Sequence, residues 1–416
     1  MSAPVATFPA SLQLTRSPIF ITLTKGPLAN DGLIDATLTL RIFTGSSASS
    51  PTADYTLFKT SIDNAPITFE ISDLIREEIA SVLKNQAISD WETATTEVVW
   101  CKFTLSSNYV NAGTPASGLI QSNQSFLCSD GWLPFTQQSG GIVAGAGLLT
   151  NRTMQVYSGY EQSLPALYDT NTDLNGVLYN VNGTDYFYVL SDELGFANTS
   201  TESTQKVIYI PAGPASVDSF LGVIPTEDYT ISLISDSASV NYKARVEADG
   251  GTCEGFACLR EALAELGYEE NATEYNYELV CEPKYTPVRL TFINRFGVSD
   301  FVTFFKVSTR SGAVTRESYM PQLNQPFNVS QQVQYRNFDV NSRETIVLNT
   351  GWVDENYDDV IREILMSEKC SINYEGVEFT VNPQDTGIQY LKEVNDRNIN
   401  YTLTFDIAWD IRNNAR

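Results

Sequence analysis

Apolar and polar residues alternate with period two along most of the chain. Over residues 35–44, Leu38, Leu40 and Ile42 fall on one face and Thr37, Thr39 and Arg41 on the other, the pattern of a strand with one buried side. The same alternation predicts strands at 19–24, 55–59, 67–71 and 98–105, with turn residues between them, and together these read as one sandwich. Further on, VLYNVNGTDYFYV sets Asn182 and Gly183 between Tyr-rich strands, and this pair suits the two positive φ angles of a type I′ turn. Strands follow at 207–210, 229–234 and 240–246. Long strands return at PVRLTFIN and DFVTFFKV, and YTLTFDIAW near the end has the length of a central strand.

Three stretches carry apolar residues at helical spacing instead. Residues 73–84 set Ile71, Leu74, Ile75, Ile79, Val82 and Leu83 on one stripe, with Ser72 available as N-cap. Residues 357–367 do the same with Tyr357, Val360, Ile361, Ile364 and Leu365. The strings Asp73-Leu-Ile-Arg-Glu and Asp359-Val-Ile-Arg-Glu match, a hint that the first and last modules are built alike. A third helix is expected around Phe256 to Leu266, with Gly267 at a left-handed C′ position. NAGTPASGLIQSNQS and SGGIVAGAGLLT are rich in small residues and read as loop and linker.

The expected fold is therefore mainly β: tandem antiparallel β-sandwich modules, Ig-like or jelly-roll-like, with two or three short helices. At about 100 to 150 residues per module, the 416 residues predict three. Residues 1–150 form an N-terminal sandwich with one helix and a Gly/Ser-rich arm. Residues 151–285 form a middle β domain with a helical, Cys-containing insertion near 250–281. Residues 286–416 form a C-terminal sandwich with one helix.

Composition narrows the function. Fifty acidic residues against 26 basic ones leave a net charge of −24, which repels phosphate backbones and anionic lipid surfaces. Neither nucleic acid nor membrane is an expected partner. The chain has no histidine, which removes the usual general base, the Ser-His-Asp and Cys-His arrangements and every imidazole metal ligand. Carboxylate chemistry of the glycosidase kind survives that exclusion, but the expectation is a protein that is not an enzyme. The opening residues show no basic run followed by an apolar core, and no stretch approaches 18 apolar residues, so synthesis in the cytosol is expected. Six cysteines are too sparse for a disulfide scaffold and read as free thiols.

The remaining candidates each have a plainer reading. Asp169, Asn171, Asp173 and Asn175 alternate ahead of Gly176, a spacing that gathers oxygen ligands for calcium. Leu174 stands where an EF-hand loop needs Gly and Asn180 where it needs a bidentate Glu. An Asx-rich turn therefore accounts for the string, and no resident cofactor is expected. Cys253, Cys258, Cys281 and Cys370 lack a zinc-ribbon spacing; a disulfide from Cys253 or Cys258 to Cys281 would close the insertion under oxidising conditions. Asp354, Glu355, Asp358 and Asp359 lie where acids favour the start of a helix. Trp132 and Trp352 both follow glycine turns and are expected to be exposed; with Phe256 they are the interface candidates, suited to subunit contacts or to stacking on a host glycan.

Several strings carry a resemblance. SPIFITLT, TLRIFTG, YTLFK and FEISDLIREEI, then KYTPVRLTFINRFGVSDFVTFFK, then LNTGWVDENYDDVIREILMSEKCSINYEG closing on YTLTFDIAW, are together similar to virion structural proteins of tailed phages infecting marine or gut Bacteroidota or similar hosts. The resemblance covers about half the chain and leaves out the excursion from Cys253 to Cys281. It implies a part of the tail, baseplate or neck that homo-oligomerises and binds other virion proteins, with a head decoration protein or a carbohydrate-binding adhesin as the alternatives. It contributes no catalytic residue.

Overall fold

The computed structural model describes residues 3–9, 12–45, 50–80, 83–84, 90–94, 96–134, 142, 147–169, 175–189, 205–235, 272–280, 283–322, 333–353, 357–385, 387 and 399–411. The chain divides into two compact units, Met1–Cys281 with Ile293–Asp300, and Glu282–Phe292 with Phe301–Arg416. It is mainly β, as the alternation predicts.

The first unit begins with β1 (Val5–Thr7), β2 (Gln13–Leu14), β3 (Phe20–Thr24), β4 (Gly32–Thr44), β5 (Ala53–Thr60), β6 (Ile67–Glu70), α1 (Ser72–Arg76), β7 (Glu92–Thr93), β8 (Val98–Asn111) and β9 (Thr114–Ser129). It continues with β10 (Thr153–Tyr157), β11 (Ser163–Asp169), β12 (Asn175–Val181), β13 (Thr184–Val189), β14 (Gln205–Pro211), α2 (Pro214–Leu221), β15 (Tyr229–Ser235) and β16 (Ala272–Val280). Four sheets result, in the orders β1-β3-β6, β2-β9-β8-β4-β5, β11-β14-β7 and β10-β16-β15-β12-β13. Neighbours run antiparallel apart from the edge strands β2 and β10, which pair in parallel with β9 and β16.

Each three-stranded sheet faces a five-stranded one. Ile21 and Leu23 of β3 and Phe69 of β6 meet Leu38, Leu40, Phe103 and Phe126 in one core. Leu164, Ile208 and Ile210 meet Val177, Tyr179, Ile231 and Tyr277 in a second. The reverse faces of two of these sheets are apolar too, and Phe43, Trp100 and Leu127 pack with Leu167, Val207 and Tyr209 in a third. Burial on both faces explains why Val98-Val-Trp-Cys101 is a continuous apolar run, every residue of it buried. Trp91 lies in the second core beside Tyr179 and Phe220, and β7 pairs with β14. Residues 91–93 thus belong to the sandwich built from residues beyond 150.

Several local expectations differ from what forms. Residues 111–125, expected as loop, lie largely in β9, which pairs with β8 in register from Asn111↔Thr114 to Val98↔Ser129. Ala112 and Gly113, at φ 48° and 86°, make the turn. Ile120 packs against the core there, but small and polar residues fill most of the other positions, so no hydrophobic alternation marks the strand. The second small-residue stretch contains Leu148, which is fully buried; its N–H donates to the Pro165 carbonyl at 2.7 Å. Helix α1 stops at Arg76, short of residue 84. Ser72 does not cap it, because its N–H and hydroxyl both donate to the Glu70 carboxylate. Helix α2 was not expected, although Pro214 opens it and Gly222, at φ 68°, closes it in the left-handed conformation. The Asn182-Gly183 turn forms as expected, at φ 52° and 71°. The helix around Phe256 and the strand at 240–246 lie outside the described residues.

The second unit holds most of β17 (Val288–Ile293) and β18 (Ser299–Phe304), then β19 (Thr309–Tyr319), β20 (Arg336–Val353), α3 (Tyr357–Met366), β21 (Cys370–Tyr374), β22 (Val377–Pro383) and β23 (Ile399–Asp410). Instead of two facing sheets it has one, in the order β18-β17-β21-β22-β23-β20-β19. β23 is internal to it, as its length predicts. The sheet curls: the Arg310 guanidinium of β19 lies 5.2 Å from the Phe379 ring of β22, three strands away. Its concave face is closed by α3, whose Tyr357, Val360, Ile361 and Ile364 pack on Leu290, Phe292, Leu348, Tyr401 and Phe405. Among the described residues no helix is long and apolar enough to cross a membrane.

Candidate functional site

Strand β19 is the edge of the seven-stranded sheet, and all eleven of its residues are exposed. It pairs with β20 in register from Thr309↔Val347 to Tyr319↔Arg336. β23 joins β20 only from Arg343 onward, so Arg336–Asn341 and their partners form a free two-stranded ribbon about 20 Å long. At the base, Arg310 Nε donates to Glu344 Oε2 at 2.9 Å, and Asn341 Nδ2 donates to Asp410 Oδ2 at 3.0 Å. Midway, the register shifts between Thr315 and Glu317, where Asp339 takes φ 46°. Such a bulge turns the following side chains to the other face.

Among the described residues the ribbon has no core on either side, yet it is not polar. Val314, Tyr319, Met320, Val333, Tyr335 (62% exposed) and Phe338 are all exposed. Tyr319 and Phe338 meet edge to face, ring centroids 5.6 Å apart. An isolated two-stranded ribbon is marginal in water, and contiguous exposed apolar residues mark contact sites. No alternation predicted this surface, because its apolar residues fall on both faces.

The sequence candidates are not brought together. Trp352 is 63% exposed at the bulge where β20 meets Asn400 of β23. Trp132 is half-buried, not exposed, with its N–H donating to the Arg295 carbonyl at 2.7 Å. Trp409, which the sequence did not single out, is 68% exposed. Phe256 lies outside the described residues, as do Asn171 and Asp173 of the calcium candidate; Asp169 ends β11. No group of three His, Cys, Asp or Glu that could hold a metal ion occurs among the described residues. Asp358 and Asp359 sit in the first turn of α3, where Asp358 accepts from the Tyr401 hydroxyl. Arg310, Ile346, Ile372, Phe379 and Ile407 line an apolar pit with free volume of about 10 Å³, room for no more than one water.

Cys101, Cys128 and Cys370 are free and buried. Cys101 and Cys128 lie 3.8 Å apart on β8 and β9, and burial pushes the Cys128 thiol well above its ordinary value. Burial likewise holds Tyr179, Tyr209, Tyr229 and Tyr277 protonated. The Tyr179 and Tyr229 hydroxyls donate to the Pro211 and Ala212 carbonyls at 2.9 and 2.7 Å, a structural use of both groups.

No family model matches the chain, and no curated protein matches it. Among solved structures, the ectodomain of the teleost fish polymeric Ig receptor aligns with 67% of this chain and 98% of its own at 8% identity, with a TM-score of 0.18, too low to carry an argument.

Proposed function

We propose that this chain is a structural component of a tailed-phage virion, in the tail, baseplate or neck, that works by protein–protein assembly and catalyses no reaction. The free β19–β20 ribbon carries the reading: it spends apolar and aromatic residues where no described residue covers them. The strings SPIFITLT, TFINRFG and LNTGW add the resemblance to virion proteins. Purified particles of the encoding phage test it by mass spectrometry and imaging. The chain is expected in every particle as a ring of six or twelve copies. Many copies spread over the capsid lattice would make it a head decoration protein, and its absence from particles would end the reading.

A carbohydrate-binding adhesin on the same particle is the second reading, favoured by the exposed Trp352 beside Gly351. Binding on a glycan array that is lost in Trp352→Ala would support it. An array with no bound glycan would count against it.

A further inference from the structure

A sheet edge presents a row of unpaired N–H and C=O groups, and folds blunt it with a short strand, a proline, a bulge, a covering layer or charge. Of these, β19 carries only charge. It runs for eleven exposed residues without proline, and no strand pairs with its outer side among the described residues. The extra residue of the bulge lies on β20, where Asn341 to Phe338 takes three steps against two from Thr315 to Glu317, so β19 itself is unbroken. Its charges are Arg310, Arg316 and Glu317.

Charges on an edge deter pairing where like charges meet. Opposite residues in an antiparallel pair share a face, and residues on one face of a strand are an even number apart. A two-fold pair of β19 strands therefore admits only registers whose axis passes through a residue. One of them pairs all eleven residues, with its axis at Val314, the middle of Thr309–Tyr319. There Val314 meets Val314 of the second copy, Arg316 meets Gly312, Arg310 meets Ser318 and Glu317 meets Ser311. No like charges are opposed, Gly312 leaves room for the guanidinium, and an apolar pair sits on the axis. Moving the axis to Ala313 sets Arg310 against Arg316 twice, moving it to Thr315 leaves Thr309 and Arg310 unpaired, and moving it to Arg316 sets that residue against itself.

Building on the assembly reading, we propose that β19 is a self-pairing edge: two copies of this chain join β19 to β19, antiparallel about a two-fold axis at Val314. The contact continues the seven-stranded sheet of one copy into that of the other. Main-chain hydrogen bonds supply its affinity and the side-chain register its selectivity. The occupant is a second copy because the strand matches its own sequence over its full length, with the two-fold symmetry that an isologous contact requires.

Sedimentation of the purified full chain reads the pairing. A dimer is expected. Val314→Lys sets two ammonium groups against each other on the axis and should raise the Kd about fivefold or more. Mixing Val314→Lys with Val314→Glu should restore it to within about twofold of the parent. Val314 is exposed, so these variants leave the core untouched. A chain still monomeric at about 100 µM, or a Val314→Lys chain that dimerises as tightly as the parent, overturns the proposal.

Cysteine placement reads the register itself. Val314→Cys brings two Cα atoms to about 5 Å across the axis, a distance that a disulfide spans, whereas Glu317→Cys holds them about 20 Å apart. With oxidised glutathione as oxidant, Val314→Cys should give covalent dimer at about five times the yield of Glu317→Cys or more. Equal yields from the two, or none above that of the parent chain with its own cysteines, overturn it. A chain that pairs this way yet is absent from particles sinks the virion reading and leaves the edge contact; one present in particles but monomeric and without the crosslink at 314 sinks the edge contact alone.

Discussion

Arg16 holds Asp130 across 114 residues of chain, with Nε 3.0 Å from Oδ1 and Nη2 2.7 Å from Oδ2. Arg76 Nε donates to the same Oδ1 at 3.2 Å. The Asp130 side chain is only 11% exposed, so this is a largely desolvated carboxylate held by two guanidinium groups. Removing the carboxylate leaves a half-buried Arg16 and an exposed Arg76 without their counter-charge and removes three charge-assisted hydrogen bonds. Asp130→Ala should cost about 1.5 to 3 kcal/mol, read as a lower urea midpoint at unchanged slope. A loss below about 0.5 kcal/mol would mean that solvent screens the group as it does a surface pair.

Gly297 has φ +76°, and a Cβ there would fall 2.7 Å from the Asp130 backbone. Gly113 has φ +86° with nothing within 4 Å. Alanine at Gly113 should cost about 1 kcal/mol, the left-handed backbone penalty alone. Alanine at Gly297 adds a backbone clash and should cost about 2 kcal/mol more. Equal midpoints for the two variants would show that the neighbouring backbone yields freely.

Trp352 and Trp91 separate surface from core. Trp352→Ala, at 63% exposure, should move stability by less than about 0.5 kcal/mol. Trp91→Ala empties a site ringed by Tyr179, Tyr188 and Phe220 and should cost about 3 to 5 kcal/mol. Denaturant titration of both variants decides; a large loss at Trp352 would place it in a packed site.

The buried phenols set an alkaline limit. Burial raises Tyr179, Tyr209, Tyr229 and Tyr277 well above the ordinary 10.0. Above that value the unfolded chain has lost phenolic protons that the folded chain keeps, so stability is complete below it and falls as pH rises past it. Absorbance at about 295 nm should report fewer than 21 titrating tyrosines in the folded chain at pH about 11, the rest ionising only on unfolding. Titration of all 21 without loss of structure would show the four to be accessible.

Alternation along the chain determined which side of most strands is buried: Leu38, Leu40 and Ile42 inward, Tyr401, Leu403 and Phe405 inward, and the turn at Asn182-Gly183. A side-chain period of two follows from local backbone geometry, so it is written in neighbouring residues. What covers that side is not local. Leu40 is covered by a second sheet, whereas Phe405 is covered by the curl of its own sheet and by α3. The tertiary structure alone decided that Trp91 serves the second core and that the strand with Phe126, Leu127 and Cys128 near its end reaches back to Thr114, since hydrogen bonds to β8 order a stretch that has no apolar alternation of its own. It also decided that Tyr319 and Phe338, 19 residues apart in sequence, meet on a ribbon with no core. Their separation, the bulge at Asp339 next to Phe338 and the absence of a covering layer among the described residues are matters of pairing, and no residue announces its cross-strand partner.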